Sequence, residues 1–196
     1  MMERIECLRF LASLRKDELA LTHMGVTATE WLSLTGDNEK TFYLKSAMGM
    51  VSSFGLGLSV TLPNRQIWAF DGDGSFVMNF GGLLTMASLQ PKNMRYFLCL
   101  NYVYESPGGQ PIVNIKQTDF VGMAKSAGIR NAYIFNDIEL FKKEIPAILA
   151  RDEFSFVVME IEKAKGKYET FPADPIEQTY HFGRYLERTE KIKILK

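Results

Sequence analysis

The chain has 196 residues, of which 46% are hydrophobic and 23% charged, as is ordinary for a globular domain. Lys plus Arg and Asp plus Glu both total 23, so the zero net charge offers no global field for nucleic acid or an anionic membrane. No apolar run reaches the ~18 residues of a membrane span, and the charged N-terminus lacks the apolar core of a signal peptide. We therefore expect a cytoplasmic protein in which Cys7 and Cys99 are buried, reduced thiols.

Predicted helices and strands alternate along the first half of the chain. In chain order, we predict a helix over about 1–17, a strand at 19–22, a helix capped by Thr27 or Thr29, a strand at 41–44 and a helix over 46–62. The last of these segments is rich in Gly, Ala, Ser and Met, which is typical of a closely packed, buried helix.

The alternation continues in the second half, apart from one loop rich in Gly and Pro. We predict a strand at 66–70, a helix at 80–89, a strand at 95–100, the loop at 101–111, a helix at 119–127, a strand at 132–135, a helix at 137–150 capped by Asp137, and a strand at 154–161. A polar tail over about 163–196 follows, with a helix around 175–190.

This order of elements predicts the class of fold. Strands separated by helices of ~10–15 residues are joined by right-handed crossovers and form a parallel sheet. We predict a single α/β domain over 1–196, with a three-layer, doubly wound, mainly parallel sheet and helices on both faces. Ligands of such folds bind beyond the carboxyl ends of the strands.

A Gly-Asp-Gly-Ser sequence directly follows the predicted strand at 66–70. Gly72 and Gly74 allow main-chain N–H groups to approach a phosphate closely, and Ser75 adds a hydroxyl donor. Asp73 supplies a hard oxygen ligand suited to magnesium. Taken alone, such a motif is more often a turn than a binding site.

Asn101 strengthens the functional interpretation, because it follows the next strand, 101 − 73 = 28 residues after Asp73. The carboxyl ends of neighbouring parallel strands share one edge of the sheet, so the two side chains are expected to meet. The carbonyl of Val103 is a third candidate oxygen. These three oxygens, two from a diphosphate and one from water would complete the octahedral shell of Mg²⁺.

The span from Gly72 to Asn101 resembles the motif of thiamine diphosphate enzymes. Further stretches are similar to the cofactor-binding domain of phosphonopyruvate and sulfopyruvate decarboxylases, over roughly 18–165. They are SAMG at 46–49, GLGL at 55–58, FVMN at 76–79, LTMA at 84–87 and YESPGGQP at 104–111.

The resemblance implies thiamine diphosphate and Mg²⁺ as cofactors, with Asp73, Asn101 and the Val103 carbonyl as metal ligands. It implies cofactor contacts for a larger set of residues, namely Gly25, Thr27, Ser46, Met48, Gly72, Asp73, Gly74, Ser75, Asn101, Val103 and Tyr104. Within this set, the Ser46 carbonyl would accept a hydrogen bond from the aminopyrimidine, and Met48 would hold the cofactor in its bent conformation.

The catalytic side chains are left open. His23 either touches phosphate or substrate, or is a histidine whose hydrogen bonds the backbone satisfies. Glu105 either faces the reaction centre or is a solvated loop charge. Lys45 is a candidate contact for the anionic group of a substrate.

The sequence departs from the family pattern at four positions. Glycine is usual where Ser46 and Tyr102 stand, and threonine is usual where Pro107 and Ile112 stand. We expect Ser46 to disturb cofactor placement if that position needs a glycine-only backbone geometry. We expect Tyr102 to make its loop bulkier and to alter the substrate pocket.

In the resembling family, the glutamate that activates the cofactor lies in a separate pyrimidine-binding domain, for which this chain leaves no room. We therefore expect a β-type subunit of an oligomer, whose α-type partner supplies that glutamate. The expected reaction is the decarboxylation of a small anionic 2-oxo acid, sulfopyruvate first and phosphonopyruvate second. The alternatives are half of another split thiamine enzyme, such as an acetolactate synthase-like or transketolase-like chain, and a non-catalytic cofactor-binding subunit.

Overall fold

Helices and strands alternate in the computed structural model, which describes residues 1–37, 39–45, 47–164 and 174–194. The strands are β1 (Leu19–His23), β2 (Thr41–Leu44), β3 (Ile67–Gly72), β4 (Met94–Leu100), β5 (Val103–Tyr104), β6 (Gln110–Pro111), β7 (Ala132–Phe135) and β8 (Ser155–Glu160). The helices are α1 (Arg4–Leu14), α2 (Val26–Thr35), α3 (Val51–Thr61), α4 (Asp73–Met78), α5 (Gly82–Leu89), α6 (Phe120–Ser126), α7 (Ile138–Leu149) and α8 (Pro175–Glu190).

Within the described ranges, six strands form a parallel sheet in the order β2-β1-β3-β4-β8-β7. Every residue of the central strands β3 and β4 is buried, because helices cover both faces. Trp68 and Phe70 of β3 pack with α1, α2 and α7, whereas Ile67 and Ala69 pack with α3, α5, α6 and α8. The predicted three-layer, doubly wound α/β fold is confirmed.

The strand order reverses at β1. Its sequence neighbour β2 pairs with it on one side, and β3 pairs with it on the other. The helices that follow β1 and β2 therefore lie on opposite faces, α2 on one and α3 on the other. Such a reversal leaves a crevice at the carboxyl ends of β1 and β3, which is where these folds bind ligands.

The predicted cap of α2 is wrong. Gly25 occupies the N-cap position with φ of 101°, a conformation that L side chains rarely adopt, and no side chain caps the helix. Thr27 and Thr29 lie inside the first turn of the helix instead. The chain thus turns from β1 into α2 at a glycine, more sharply than a threonine cap would allow.

Three local predictions needed correction. The helix expected over 46–62 begins at Val51, because residues 47–50 form a turn in which Gly49 has φ of 81°. Ser46, the first residue of the expected helix, lies outside the described residues. The Gly-Asp-Gly-Ser motif is not a loop before a distant helix, because α4 begins at Asp73 itself. The predicted loop at 101–111 contains a short antiparallel hairpin formed by β5 and β6.

Other predictions are confirmed. The Asp137 side chain accepts a hydrogen bond from Leu140 N and caps α7, and α8 has the expected bounds. Cys7 and Cys99 are buried and not disulfide-bonded. In the part of the chain that the structure describes, no helix combines the length and apolar character needed to cross a membrane. Residues 165–173, 195 and 196 of the predicted polar tail lie outside the described ranges.

Helix α3 packs closely on the sheet at Gly55 and faces outward at Gly57. A Cβ atom on Gly55 would lie 2.7 Å from Met94 Cε and 3.3 Å from Leu21 Cδ1, whereas nothing lies within 4 Å of one on Gly57. We expect Gly55→Val to lower the free energy of unfolding by about 1–3 kcal/mol because it overpacks this contact. The matched control Gly57→Val should stay within about 0.5 kcal/mol of the parent. Equal urea midpoints for the two variants would contradict the close packing.

Candidate functional site

A cavity of about 320 Å³ opens at the carboxyl ends of β1, β3 and β4, beside the strand reversal. Its walls include His23 after β1, the start of α4 after β3, and Asn101 with the following hairpin after β4. Because the strands are parallel, segments distant in the chain meet at this edge of the sheet. Most of the predicted site residues are thereby brought together.

Asp73 lies at the centre of this arrangement and is 2% exposed. Its Oδ2 atom accepts hydrogen bonds from the backbone N–H groups of Asn101 at 3.0 Å and Tyr102 at 2.6 Å. Its Oδ1 atom accepts one from Gly74 N at 2.8 Å. The carboxylate therefore joins the end of β4 to the beginning of α4.

The Asp73 carboxylate lacks a cationic partner among the residues that the structure describes. Burial raises its pKa to about 6, although the hydrogen bonds from Tyr102, Gly74 and Asn101 act in the opposite direction. A buried, ionised carboxylate with only N–H donors is an environment that favours a bound cation. The described chain offers no cluster of three His, Cys, Asp or Glu side chains as an alternative metal site.

Asn101 supplies the second predicted oxygen beside Asp73. Its Oδ1 atom accepts a hydrogen bond from Val103 N at 3.1 Å, and its Nδ2 atom donates to Glu105 Oε2 at 3.1 Å. Val103, the third predicted ligand, also lines the cavity and begins β5. The Asp73 carboxylate, the Asn101 side-chain amide and the Val103 N–H thus belong to one hydrogen-bonded group.

Gly74 is required by the close approach of the hairpin to α4. A Cβ atom at this position would lie 2.5 Å from Cδ1 and 2.8 Å from Cε1 of the Tyr104 ring. Gly25 is restricted in the same way, since a Cβ there would collide with the Ser106 hydroxyl. The loop at 104–107 therefore packs directly onto the segments that follow β1 and β3.

Ser75 ties the motif to the turn that carries Met48. The Ser75 hydroxyl accepts a hydrogen bond from Gly49 N at 2.9 Å, and Asn79 Nδ2 donates to Gly49 O at 2.9 Å. Met48 itself lines the cavity and is 37% exposed, so it is not the core residue that a buried helix would imply. Ser46, the other residue expected here, is outside the described residues.

A buried carboxylate that sequence reasoning missed lies beneath the motif. Asp71 Oδ2 accepts a hydrogen bond from the Tyr96 hydroxyl at 2.5 Å, and Asp71 Oδ1 accepts one from Gly72 N at 3.0 Å. Burial raises the pKa of Asp71 to about 6, and hydrogen bonds from Ser75 and Tyr96 oppose this shift. Asp71 thus supports the motif from the sheet side.

His23 lines the cavity, and its Nε2 atom lies 2.9 Å from the Thr27 hydroxyl. Burial, together with the nearby charge of Arg4, lowers the pKa of His23 to about 4, so the imidazole is neutral near pH 7. Thr27 also lines the cavity, whereas Lys45 does not. His23 is therefore placed to meet a ligand, but as a neutral group.

The interpretation of Glu105 as a solvated loop charge is wrong. Its side chain is 7% exposed, and Arg4 Nη1 donates to its Oε2 atom at 2.7 Å. Arg4, whose side chain is 3% exposed, also donates from Nε to Glu30 Oε2 at 2.8 Å. Sequence reasoning missed Arg4, because no local pattern indicates that the first residue of α1 reaches a loop 101 positions away.

Tyr102 has φ of 67°, in the left-handed region that glycine adopts without strain. This conformation accounts for the glycine that the family pattern places here. The Tyr102 hydroxyl donates to Glu160 Oε1 at 2.6 Å, and Tyr102 is not among the described residues that line the cavity. The expected change of the substrate pocket by this side chain is therefore not seen.

Fold and site together define a class: a doubly wound α/β domain with a ligand cavity and an uncompensated carboxylate at its strand reversal. Residues 27–159 match the family model described as thiamine pyrophosphate enzyme, C-terminal TPP binding domain, and the chain belongs to this family. Thiamine pyrophosphate is another name for thiamine diphosphate.

Three curated relatives show where the chain fits within larger proteins. It is 34% identical to a sulfopyruvate decarboxylase of Methanosarcina acetivorans over 95% of this chain and 48% of that protein. It is 28% identical to a sulfopyruvate decarboxylase subunit beta of Methanocaldococcus jannaschii over 95% of this chain and 98% of that subunit. It is 29% identical to a phosphonopyruvate decarboxylase of Streptomyces viridochromogenes over 78% of this chain and 38% of that protein.

The chain therefore spans about half of one relative and nearly all of another. Among solved structures, benzoylformate decarboxylase from Polynucleobacter necessarius superimposes with a TM-score of 0.67 at 18% identity, covering 85% of this chain and 34% of that one. At this identity, the likeness supports the fold alone.

The Asp73→Asn variant tests the uncompensated charge. A folded-state pKa raised from 3.8 to about 6 means that the metal-free parent loses stability as the pH rises through this range. We expect the stability of the parent relative to Asp73→Asn to fall by on the order of 2 kcal/mol between about pH 4 and pH 7. Urea unfolding at a series of pH values measures this difference.

The matched control is Asp137→Asn, the same substitution at a helix cap remote from the cavity. The stability difference between this control and the parent should lack the loss expected for Asp73 between about pH 4 and pH 6. If the stability difference between Asp73→Asn and the parent varied with pH as little as the difference for the control, the buried charge would be refuted.

Proposed function

We propose that this chain is the subunit that holds Mg²⁺ and the diphosphate of thiamine diphosphate in a 2-oxo acid decarboxylase. Its substrate is a 3-substituted pyruvate, sulfopyruvate first and phosphonopyruvate second. The observation that carries the proposal is the contact between the buried, uncompensated Asp73 carboxylate and the backbone of Asn101, within a chain of this family. The names of the relatives support the substrate class.

The residues at the strand ends fit the cofactor. Asp73, the Asn101 amide oxygen and the Val103 carbonyl are hard oxygen donors of the kind that Mg²⁺ prefers. Gly74 and Ser75 line the cavity in the first turn of α4. The Gly74 N–H donates to Asp73 Oδ1, whereas the Ser75 N–H has no intrahelical acceptor and is suited to a phosphate oxygen. When bound, thiamine diphosphate supplies the electron sink that decarboxylation needs.

Because its imidazole is neutral, His23 is suited to contact the cofactor or the substrate without adding a positive charge beside the cation. The hydrogen bond with Thr27 restrains its ring, and its low pKa keeps it uncharged throughout the neutral range. The apolar Met48 side chain is placed to support the cofactor from the side of the turn at 47–50. These side chains orient the bound ligand and exclude water from it.

A partner subunit completes the site in this proposal by supplying the glutamate that activates the cofactor. Support comes from the relative named as a beta subunit, which this chain matches over nearly its full length. Further support comes from exposed methionines in the turn that borders the cavity and at the end of α4. Met48, which lines the cavity, is 37% exposed, and Met50 and Met78 are 47% and 57% exposed. An apolar surface beside a binding site is typical of a protein interface.

The partner is also the proposed source of contacts to the sulfonate or phosphonate of the substrate. Among the described residues, Arg4 is the only Lys or Arg that lines the cavity, and Glu30 and Glu105 pair with it. His23 is neutral near pH 7. The described walls of the cavity therefore hold no uncommitted positive charge for a second anion.

The test is co-expression with a candidate pyrimidine-domain subunit, followed by measurement of CO₂ release in the presence of Mg²⁺ and thiamine diphosphate. We expect turnover of sulfopyruvate, and more slowly of phosphonopyruvate, only when both chains are present. The Asp73→Ala variant of the complex should lose about 100-fold or more in activity, since even residues that only orient metal ligands contribute about 10–100-fold.

Other outcomes would select the alternatives. Full activity of the chain alone contradicts the shared site, and formation of acetolactate from pyruvate would favour an acetolactate synthase-like half. Magnesium-dependent cofactor binding without turnover of any 2-oxo acid would favour a non-catalytic subunit.

A further inference from the structure

Arg4 forms a buried ion-pair group that reaches from α1 to the candidate metal site. Its guanidinium donates to Glu30 on α2 at 2.8 Å and to Glu105 in the loop after β4 at 2.7 Å. The Arg4 side chain is 3% exposed and the Glu105 side chain 7% exposed, so water screens this pair weakly. Removal of Arg4 would take away the positive charge that lies 2.7 Å from the Glu105 carboxylate.

Within the described part of the chain, the Glu105 carboxylate also contacts the loop after β4 and the segment after β8. It accepts a hydrogen bond from Asn101 Nδ2 at 3.1 Å and one from Ala164 N at 2.6 Å. A carboxylate only accepts hydrogen bonds, so Glu105 can be satisfied by the NH₂ end of the Asn101 amide but not by its oxygen. The amide therefore has its oxygen on the side of Val103, whose N–H donates to it at 3.1 Å.

The orientation of this amide matters for a cation. The oxygen and nitrogen ends of an asparagine are nearly equal in size, but only the oxygen has lone pairs for a metal. With the amide reversed, two N–H dipoles would point at the cation and the metal site would lose one ligand. The hydrogen bond to Val103 N leaves one lone pair of Oδ1 available.

We propose that Arg4 and Glu105 are positioning residues that fix the orientation of the Asn101 amide, so that its oxygen is presented to Mg²⁺. This assignment rests on the proposed function of the site. It gives α1 a role in metal binding, although this helix precedes the strand that begins the sheet. It also accounts for the burial of two charged side chains, Arg4 and Glu105, in the wall of the cavity.

The start of the chain holds Arg4 in register with the sheet. Met2 N donates to Glu160 O at 3.0 Å, and Glu162 N donates to Met2 O at 2.8 Å, which joins the segment before α1 to the end of β8. Ala164, four residues beyond that strand, donates to Glu105. The segments at both ends of the ion-pair group are therefore anchored to the same strand.

The first test compares two buried arginines at opposite ends of α1. Arg15 follows the last residue of α1, is 6% exposed and donates to Asp37 Oδ2 at 2.7 Å, and it does not line the cavity. Mg²⁺ binding is measured by calorimetry on the full chain at saturating thiamine diphosphate. We expect Arg4→Met to weaken Mg²⁺ binding about tenfold, as for residues that orient metal ligands, and Arg15→Met to leave the Kd within about twofold of the parent.

The second test separates amide orientation from charge. Glu105→Met removes the acceptor and should weaken Mg²⁺ binding about tenfold in the parent. In an Asn101→Asp background, both side-chain oxygens can bind a metal, so orientation is irrelevant. Glu105→Met should then leave Mg²⁺ binding unchanged or strengthen it, because it also removes a repulsion between two carboxylates.

The outcomes are distinct. If the parent binds no Mg²⁺ with thiamine diphosphate, the proposed function fails, and this assignment fails with it. If the parent binds but Arg4→Met and Arg15→Met behave alike, the assignment alone fails. Equal weakening by Glu105→Met in both backgrounds also overturns it, since loss of negative charge would then be the whole effect. Circular dichroism identifies any variant that does not fold, and the Glu105→Met pair remains decisive if Arg4→Met is lost.

Discussion

The Asp73 carboxylate is the point on which the arrangement of the site depends. It begins α4 immediately after β3, and the backbone N–H groups at the end of β4 donate to it. These bonds set the distance between two neighbouring strand ends without help from a positively charged side chain in the described chain. The loop after β4 can then present an amide and a carbonyl beside the same carboxylate. The arrangement stabilises the local backbone at the cost of an unfavourable buried charge, which a cation would neutralise.

Much of this arrangement follows from regularities that a sequence displays. Asp73 and Asn101 were predicted to meet because each follows a strand of a parallel sheet, where strand ends share an edge, and the structure agrees. Asp137 marked a helix start through local capping chemistry, which needs no knowledge of tertiary contacts. The doubly wound order likewise followed from the alternation of elements.

Features that depend on long-range contacts were missed for an equally physical reason. Arg4 pairs with Glu105 across 101 positions, and Asp71 with Tyr96 across 25, and no periodicity records either pair. The cap of α2 was misplaced because the positive φ of Gly25 took precedence over the usual preference for threonine. The helix predicted from residue 46 was too long, because Gly49 turns the chain and Ser75 and Asn79 hold that turn from α4.

Tyr102 shows how a departure from the family pattern can be accommodated. A left-handed conformation costs a non-glycine residue on the order of 1 kcal/mol. Two short hydrogen bonds oppose this cost, one from Tyr102 N to Asp73 Oδ2 and one from the Tyr102 hydroxyl to Glu160, both at 2.6 Å. The tyrosine thereby holds the backbone beside Asp73 and ties it to β8. Its bulk lies away from the cavity, so the departure is compatible with cofactor binding.

The charges around the cavity determine how Mg²⁺ and the diphosphate affect each other's binding. Arg4 is matched by two glutamates, His23 is neutral near pH 7, and Asp73 remains uncompensated. In the proposed function, a diphosphate arriving without a cation would meet a buried negative charge, and the only Lys or Arg in the described cavity wall, Arg4, is already paired with two glutamates. Coulomb repulsion at low dielectric makes that encounter unfavourable, whereas a divalent cation converts it into attraction. Mg²⁺ and the diphosphate must therefore strengthen each other's binding by the same factor, as thermodynamic linkage requires. On the same proposal, the positive charge for an anionic substrate comes from outside the described cavity walls, and the proposed partner subunit is its source.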